Sequence, residues 1–177
     1  MKKVLLLLYL FSVWIAAAAT AQESPVKINI PAGFEGPFVA SHQSGAKIQA
    51  YMKKIPGAGR TTLLQVTTYD FGSQLDGLPD ERRGEAAGHY LSQFLASVQQ
   101  QRDTFESTDA AGVVLDGIPG ARVEWHGSSA GFNMSGVMYC VIVGSVVISL
   151  HTQGFEDSPA ADTKAALAAI DSVTFNR

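Results

Sequence analysis

The chain has 177 residues, with 13 basic against 16 acidic side chains, a formal charge of −3 and a hydrophobic content of 46%. No basic run exceeds a pair, which excludes a nucleic-acid binder and a protein held on an anionic membrane surface by charge. Cys140 is the only cysteine, so no internal disulfide is available and the fold has to rest on its core.

Residues 1–21 carry the pattern of an export signal: Lys2-Lys3, an apolar run over 4–15, and small residues ending in Ala19-Thr20-Ala21. Cleavage is expected before Gln22, leaving residues 22–177 as one domain of a length that suits a single core. A retained anchor is the competing reading, because residues 4–21 approach the length of a membrane span. Ser12 and the closing small residues favour cleavage, and no cysteine lies near the site to take a lipid. The expected location is periplasmic or secreted, with no stable membrane insertion once the signal is removed.

In the remainder, Val26-Lys27-Ile28-Asn29-Ile30 alternates apolar and polar residues until Pro31, as a first strand lying over one face would. Ala32-Gly33-Phe34 then turns the chain. Residues 46–54 and 61–70 form a second pair of strands around the loop Ile55-Pro56-Gly57-Ala58-Gly59-Arg60. From residue 80 to about 102 the period changes to that of a helix, with Ala87, Tyr90, Leu91, Phe94, Leu95 and Val98 on one stripe. Pro79 suits its first turn, and Asp80-Glu81 sit where the helix dipole favours negative charge. Gly84 and Gly88 weaken it, unless they permit close contact with a sheet.

Ala121, Val123 and Trp125 then alternate with Arg122, Glu124 and His126 in a strand with one polar face. Gly127-Ser128-Ser129-Ala130-Gly131 is expected as a flexible loop leading into a central hairpin. Residues 137–143 are apolar without a break, which requires cover on both faces of their strand. After the Gly144-Ser145 turn, Val146, Ile148 and Leu150 give the returning strand one regular apolar face, better covered than its other. Ser158-Pro159 reads as a cap and first helical position, opening a C-terminal helix over about 159–171. The fold class is α+β: an α/β/α sandwich whose central, mainly antiparallel sheet is covered by the two helices.

Three local patterns carry a resemblance: Ile30-Pro31-Ala32-Gly33-Phe34, Leu115-Asp116-Gly117-Ile118-Pro119-Gly120-Ala121-Arg122 before a long hairpin, and the closing Ile170-Asp171-Ser172-Val173-Thr174-Phe175. With the order of elements, they resemble the PsbP-like superfamily of α/β/α sandwiches, closest in kind to exported bacterial members such as DcrB-like envelope proteins. The resemblance implies an exported, non-catalytic protein that acts by binding another envelope or secreted protein.

No motif for a cofactor or metal is present. His42, His89, His126 and His151 lack zinc-motif spacing. If the 127–131 loop pairs His126 with Phe132, and the tight turn pairs Ile142 with Val146, His151 falls opposite Val137. His126 and His151 then project from opposite faces of the sheet. Cys140 reads as a buried hydrophobe rather than a nucleophile. The partner surface is expected on Arg122, Glu124 and His126 together with Phe71, Leu75 and Leu78 of the glycine-rich 71–79 loop, side chains that would otherwise pin that loop to the core. Two alternatives stand beside it. One is a small-ligand carrier with a pocket between sheet and long helix lined by Tyr90 and Phe94. The other is a hydrolase using Ser129 and His126, although a nucleophile elbow needs a strand-to-helix turn.

Overall fold

The computed structural model describes residues 24–41 and 45–176. The expected export signal, residues 1–21, and His42 lie outside them. Among the described residues the chain forms ten strands and two α-helices: β1 (Val26–Lys27), β2 (Glu35–Ser41), β3 (Lys47–Lys54), β4 (Thr61–Asp70), α1 (Arg83–Gln99), β5 (Thr104–Ser107), β6 (Ala111–Leu115), β7 (Ile118–Ser129), β8 (Phe132–Val143), β9 (Val146–Phe155), α2 (Ala160–Asp171) and β10 (Thr174–Phe175). Among the described residues β2 to β9 form one antiparallel sheet in the order β2-β3-β4-β9-β8-β7, with β5 and β6 sharing the outer edge of β7.

The apolar run of β8 sits inside this sheet and is covered on both sides. Met138, Cys140 and Ile142 turn to one face with Val123 and Ala121 of β7 and Val147 of β9, under Ala87 and Leu91 of α1. Tyr139, Val141 and Val143 turn to the other, with Ile148 and Leu150 of β9 and Leu64 and Val66 of β4, under Ala166, Ala169 and Ile170 of α2. Burying each such side chain contributes about 1.5–3 kcal/mol, so this two-sided core is the main source of stability. The α/β/α arrangement expected from the sequence is the one found.

Several local expectations are corrected. The Val26–Ile30 strand shortens to β1, which leaves the main sheet and pairs with β10. Strand β2 was not expected, because Gly36-Pro37 interrupts its sequence pattern; it is the edge of the sheet, with a register shift between Glu35 and Phe38. Strand β5 was likewise not expected. The long helix opens with a 3-10 turn, Asp80–Arg82, and its regular part closes at Gln99. Ser158 does not cap α2; its hydroxyl accepts the Phe155 N–H at 2.8 Å. The second face of β9 is not the less covered one, since Val147, Ser149 and His151 are all buried there.

The 127–131 loop is mostly strand. β7 runs to Ser129, and the chain turns on Ala130 and Gly131 alone, both at positive φ (52° and 82°), the geometry that matches sheet twist in a two-residue hairpin. Ser129 therefore pairs with Phe132 and His126 with Ser135; Val143 pairs with Val146 and His151 with Met138. Both registers differ from expectation by an odd number of residues, so the parity argument survives and His126 and His151 do lie on opposite faces.

Beyond the end of α1, its face of the sheet is closed by Trp125, fully buried, lying across Gly136 of β8. A Cβ on Gly136 would lie 2.6 Å from the indole and 2.7 Å from the Thr152 carbonyl, whereas one on Gly88 of α1 would meet Ala121 Cβ at an ordinary 3.8 Å. Gly136→Ala is expected to lower stability by about 1–3 kcal/mol through overpacking, while Gly88→Ala raises it by up to about 1 kcal/mol through helix propensity. Urea unfolding of the two variants checks this; shifts of the same sign would refute the packing described.

Candidate functional site

Alternation on β7 places Ala121, Val123 and Trp125 in the core under α1 and leaves Arg122, Glu124 and His126 on the opposite face. The main body of α2 packs over β9 and β4, so this end of the face stays uncovered. Arg122 is held from two sides: its Nε donates to the Tyr139 hydroxyl at 3.1 Å and its Nη2 to Glu124 Oε1 at 2.6 Å. His126 is exposed and stands between Glu106 of β5 and Ser135 of β8 in register. A shallow cleft of about 510 Å³ opens there, lined by Thr104, Glu106, His126, Asn133, Ser135 and Glu156 among others.

At the end of the sheet, beside Asn133 and Glu156, an aromatic corner forms on the opposite face, since Phe132 pairs with Ser129 and Phe155 with Met134. Arg60, from the β3-β4 turn, lies 4.2 Å over the Phe132 ring and 5.4 Å from that of Phe155, and is paired with Asp157. Asn133 Nδ2 donates to Glu156 Oε2 at 3.0 Å, and both residues also line the small cleft beside Phe132. Cation–π contacts of this kind contribute about 0.5–1 kcal/mol where exposed. Sequence reading missed this corner because Arg60, Phe132 and Phe155 come from three separate turns and strands, with no local spacing to link them.

Phe71, Leu75 and Leu78 do not join the strip. They pack against the core on the α1 side, with Leu75 buried in a 3-10 turn (Gly72–Leu75) and the Phe71 ring between Tyr69 and Tyr90 at 4.4 and 4.9 Å. The sheet separates the two halves of the expected surface; these apolar side chains pin their loop.

Ser129 and His126 are three residues apart on one strand and so project to opposite faces, out of reach of a shared reaction. Ser128 is on the His126 face, but its hydroxyl is engaged at 2.8 Å with that of Thr104. Tyr90 and Phe94 pack onto the α1-side core, and neither lines the two clefts beside His126 and Phe132. Among the described residues no three His, Cys, Asp or Glu side chains gather as metal ligands, and no helix is long and apolar enough to cross a membrane.

Two buried titratable groups, Cys140 and His151, are held in their neutral forms. Burial pushes the Cys140 thiol up to about 12. Burial, and then the nearby Arg102 guanidinium, press His151 down to about 3. Neutral His151 accepts the Trp125 indole N–H at 3.2 Å, and Arg102 lies 5.1 Å over the Trp125 ring with Nη2 donating to Gln153 Oε1 at 2.8 Å.

No protein-family model matches the chain, and no curated protein matches it. Among solved structures it is similar to LpqN of Mycobacterium tuberculosis, described as involved in cell envelope biogenesis, at 14% identity and TM-score 0.54, over 86% of this chain and 83% of that one. It is also similar to PA94 of Pseudomonas aeruginosa, described as of unknown function, at 10% identity and TM-score 0.53, over 73% and 83%. The solution structure of PsbP from Synechocystis matches at 12% identity and TM-score 0.45, over 92% and 99%. At such identities the first two likenesses establish the fold.

Two outcomes follow from the neutral groups. Cys140 is expected to stay unlabelled by Ellman's reagent in native protein and to react on unfolding. For His151, the unfolded chain binds a proton below its ordinary 6.5 that the folded chain refuses until about 3. Stability from this group is therefore complete above pH 6.5 and falls with pH through that window, by at most about 1.4 kcal/mol per unit. In urea unfolding, the stability of wild type relative to His151→Gln should decline between pH 7 and 4; a difference independent of pH would refute a buried neutral imidazole.

Proposed function

We propose that this protein is an exported accessory protein of the cell envelope that works by binding another envelope or secreted protein, without a reaction of its own. The observation that carries this reading is the uncovered face of β7 and its neighbours. Its side chains are fixed against one another, Arg122 on Tyr139 and Glu124, Asn133 on Glu156, instead of converging on a point where a reacting atom could sit. Pre-ordered polar groups of this kind are what a protein partner engages with little ordering cost. The signal pattern in residues 1–21 supports export. The fold shared with LpqN supports the envelope as the setting, by analogy of fold alone.

Native mass spectrometry of the protein recovered from the exported fraction of its host tests the reading. The expected species begins at Gln22 and carries one other protein at fixed stoichiometry. Glu124→Lys reverses a charge at the centre of the strip and should weaken that complex at least tenfold, about 1.4 kcal/mol, with unchanged thermal unfolding. A monomer with a small added mass would replace this reading by a carrier, and a bare monomer would remove its basis.

A further inference from the structure

A second surface lies on the other side of the sheet, at its outer edge. Strands β6 and β7 are joined by the two-residue turn Asp116-Gly117, both at positive φ (47° and 74°). In such a hairpin the flanking residues, Leu115 and Ile118, form the hydrogen-bonded pair, and bonded and non-bonded pairs then alternate. Val113 with Gly120 and Ala111 with Arg122 are thus bonded pairs, while Gly112 with Ala121 and Val114 with Pro119 are not. Pro119, which has no N–H, falls where none is needed. It follows that the N–H and C=O of Gly112 and Val114 point away from β7, and among the described residues no strand pairs with that edge.

Behind the edge runs a groove of about 680 Å³, between β6 and the first half of α1. Small residues make it: Gly84 and Gly88 on the helix, and Gly112 and Ala121 on the sheet. A Cβ on Gly112 would meet nothing within 4 Å, and Val114 stands on the lip with 68% of its surface exposed. Residues opposite Gly112 or Val114 on an added strand would turn their side chains to this same face. Glu85 lines the groove, held only by an exposed contact with Arg82 at 3.4 Å, and the exposed Asp109 adjoins it next to Ala110. The opposite edge of the sheet, β2, is less suited to pairing because Pro37 and the register shift after Glu35 break its row of donors.

We propose that the free edge of β6 and this groove take up an extended segment of a partner protein. The segment adds to β6 as a strand, seats a small apolar side chain over Gly112 and brings a lysine or arginine to Glu85 and Asp109. The backbone bonds supply affinity, and the groove and its carboxylates supply selectivity. The proposal rests on the reading of this chain as a protein-binding accessory and names the part of the partner it would hold.

A synthetic probe tests it without knowledge of that partner: the blocked peptide Lys-Thr-Val-Thr-Val-Thr-Lys, which reads alike in both directions and puts both valines and both lysines on one face. Titrated into 15N-labelled protein, it is expected to shift the Gly112 and Val114 amides, and those of Gly84 and Gly88, saturably. Val114→Pro removes an outward donor and leaves the bonds to β7 in place, so binding should weaken at least tenfold with thermal unfolding unchanged. Gly112→Phe, which fills the groove and keeps every backbone donor, should do the same. Replacing both peptide lysines by glutamate should weaken binding several-fold. No shifts at millimolar peptide, shifts confined to other residues, or wild-type affinity in both variants would overturn the proposal. So would a concentration-dependent dimer abolished by Val114→Pro, which would give the edge to a second copy. Peptide binding at β6 with no protein partner in the exported fraction would retain the groove and sink the accessory reading. A partner complex indifferent to both variants would do the reverse.

Discussion

The structure depends on one constraint: an apolar strand, β8, has to be removed from water on both sides. Helix α1 meets this over β7 and β8 on one face, and α2 over β9 and β4 on the other. Past the end of α1 a side chain takes over from the helix. The Trp125 indole occupies the space that Gly136 leaves empty, Phe105 stacks on it at 5.7 Å, and Arg102 closes over its ring. A fully buried indole N–H needs an acceptor, and a neutral imidazole two strands away provides it.

This explains why the groups that look most reactive in the sequence are silent. The low-dielectric interior that makes Cys140 and His151 good core residues disfavours their charged forms, the thiolate and the imidazolium. Such groups neither attack nor shuttle protons at ordinary pH. On the surface, Ser128, Glu124 and Asn133 are engaged by Thr104, Arg122 and Glu156.

What was legible in the sequence follows the same division. Periodicity located α1 and the split of β7 into a core face and a polar face, an unbroken apolar run located β8, and Ser158-Pro159 located the start of α2. Strands β2 and β5 were not legible, since edge strands are covered on neither side and carry no such pattern; Phe38 is 51% exposed. Register escaped as well. A two-residue turn at Ala130-Gly131 cannot be told from a five-residue loop by composition, yet it decides what Ser128 and Ser129 face. Only parity was safe, because both errors were odd. The two halves of the expected partner surface lie apart for a related reason: Phe71 and Glu124 come together on paper only if the thickness of the sheet is ignored.

The two helices cover opposite faces and opposite halves of the sheet, and this diagonal arrangement determines where the molecule is free to interact. Where α2 stops, β7 and β8 turn outward with arginine, glutamate, histidine, serine and asparagine, residues that lose little by being wet. Where α1 thins to glycines, β6 is left with an unpaired edge and an apolar hollow behind it. A protein under selection only for stability would fill that hollow, since alanine at Gly84 or Gly88 meets no forbidden contact and improves the helix. Two glycines in the first half of α1, beside an edge whose donors face outward, cost helix stability, and the hollow they leave fits the strand-binding role proposed for this edge.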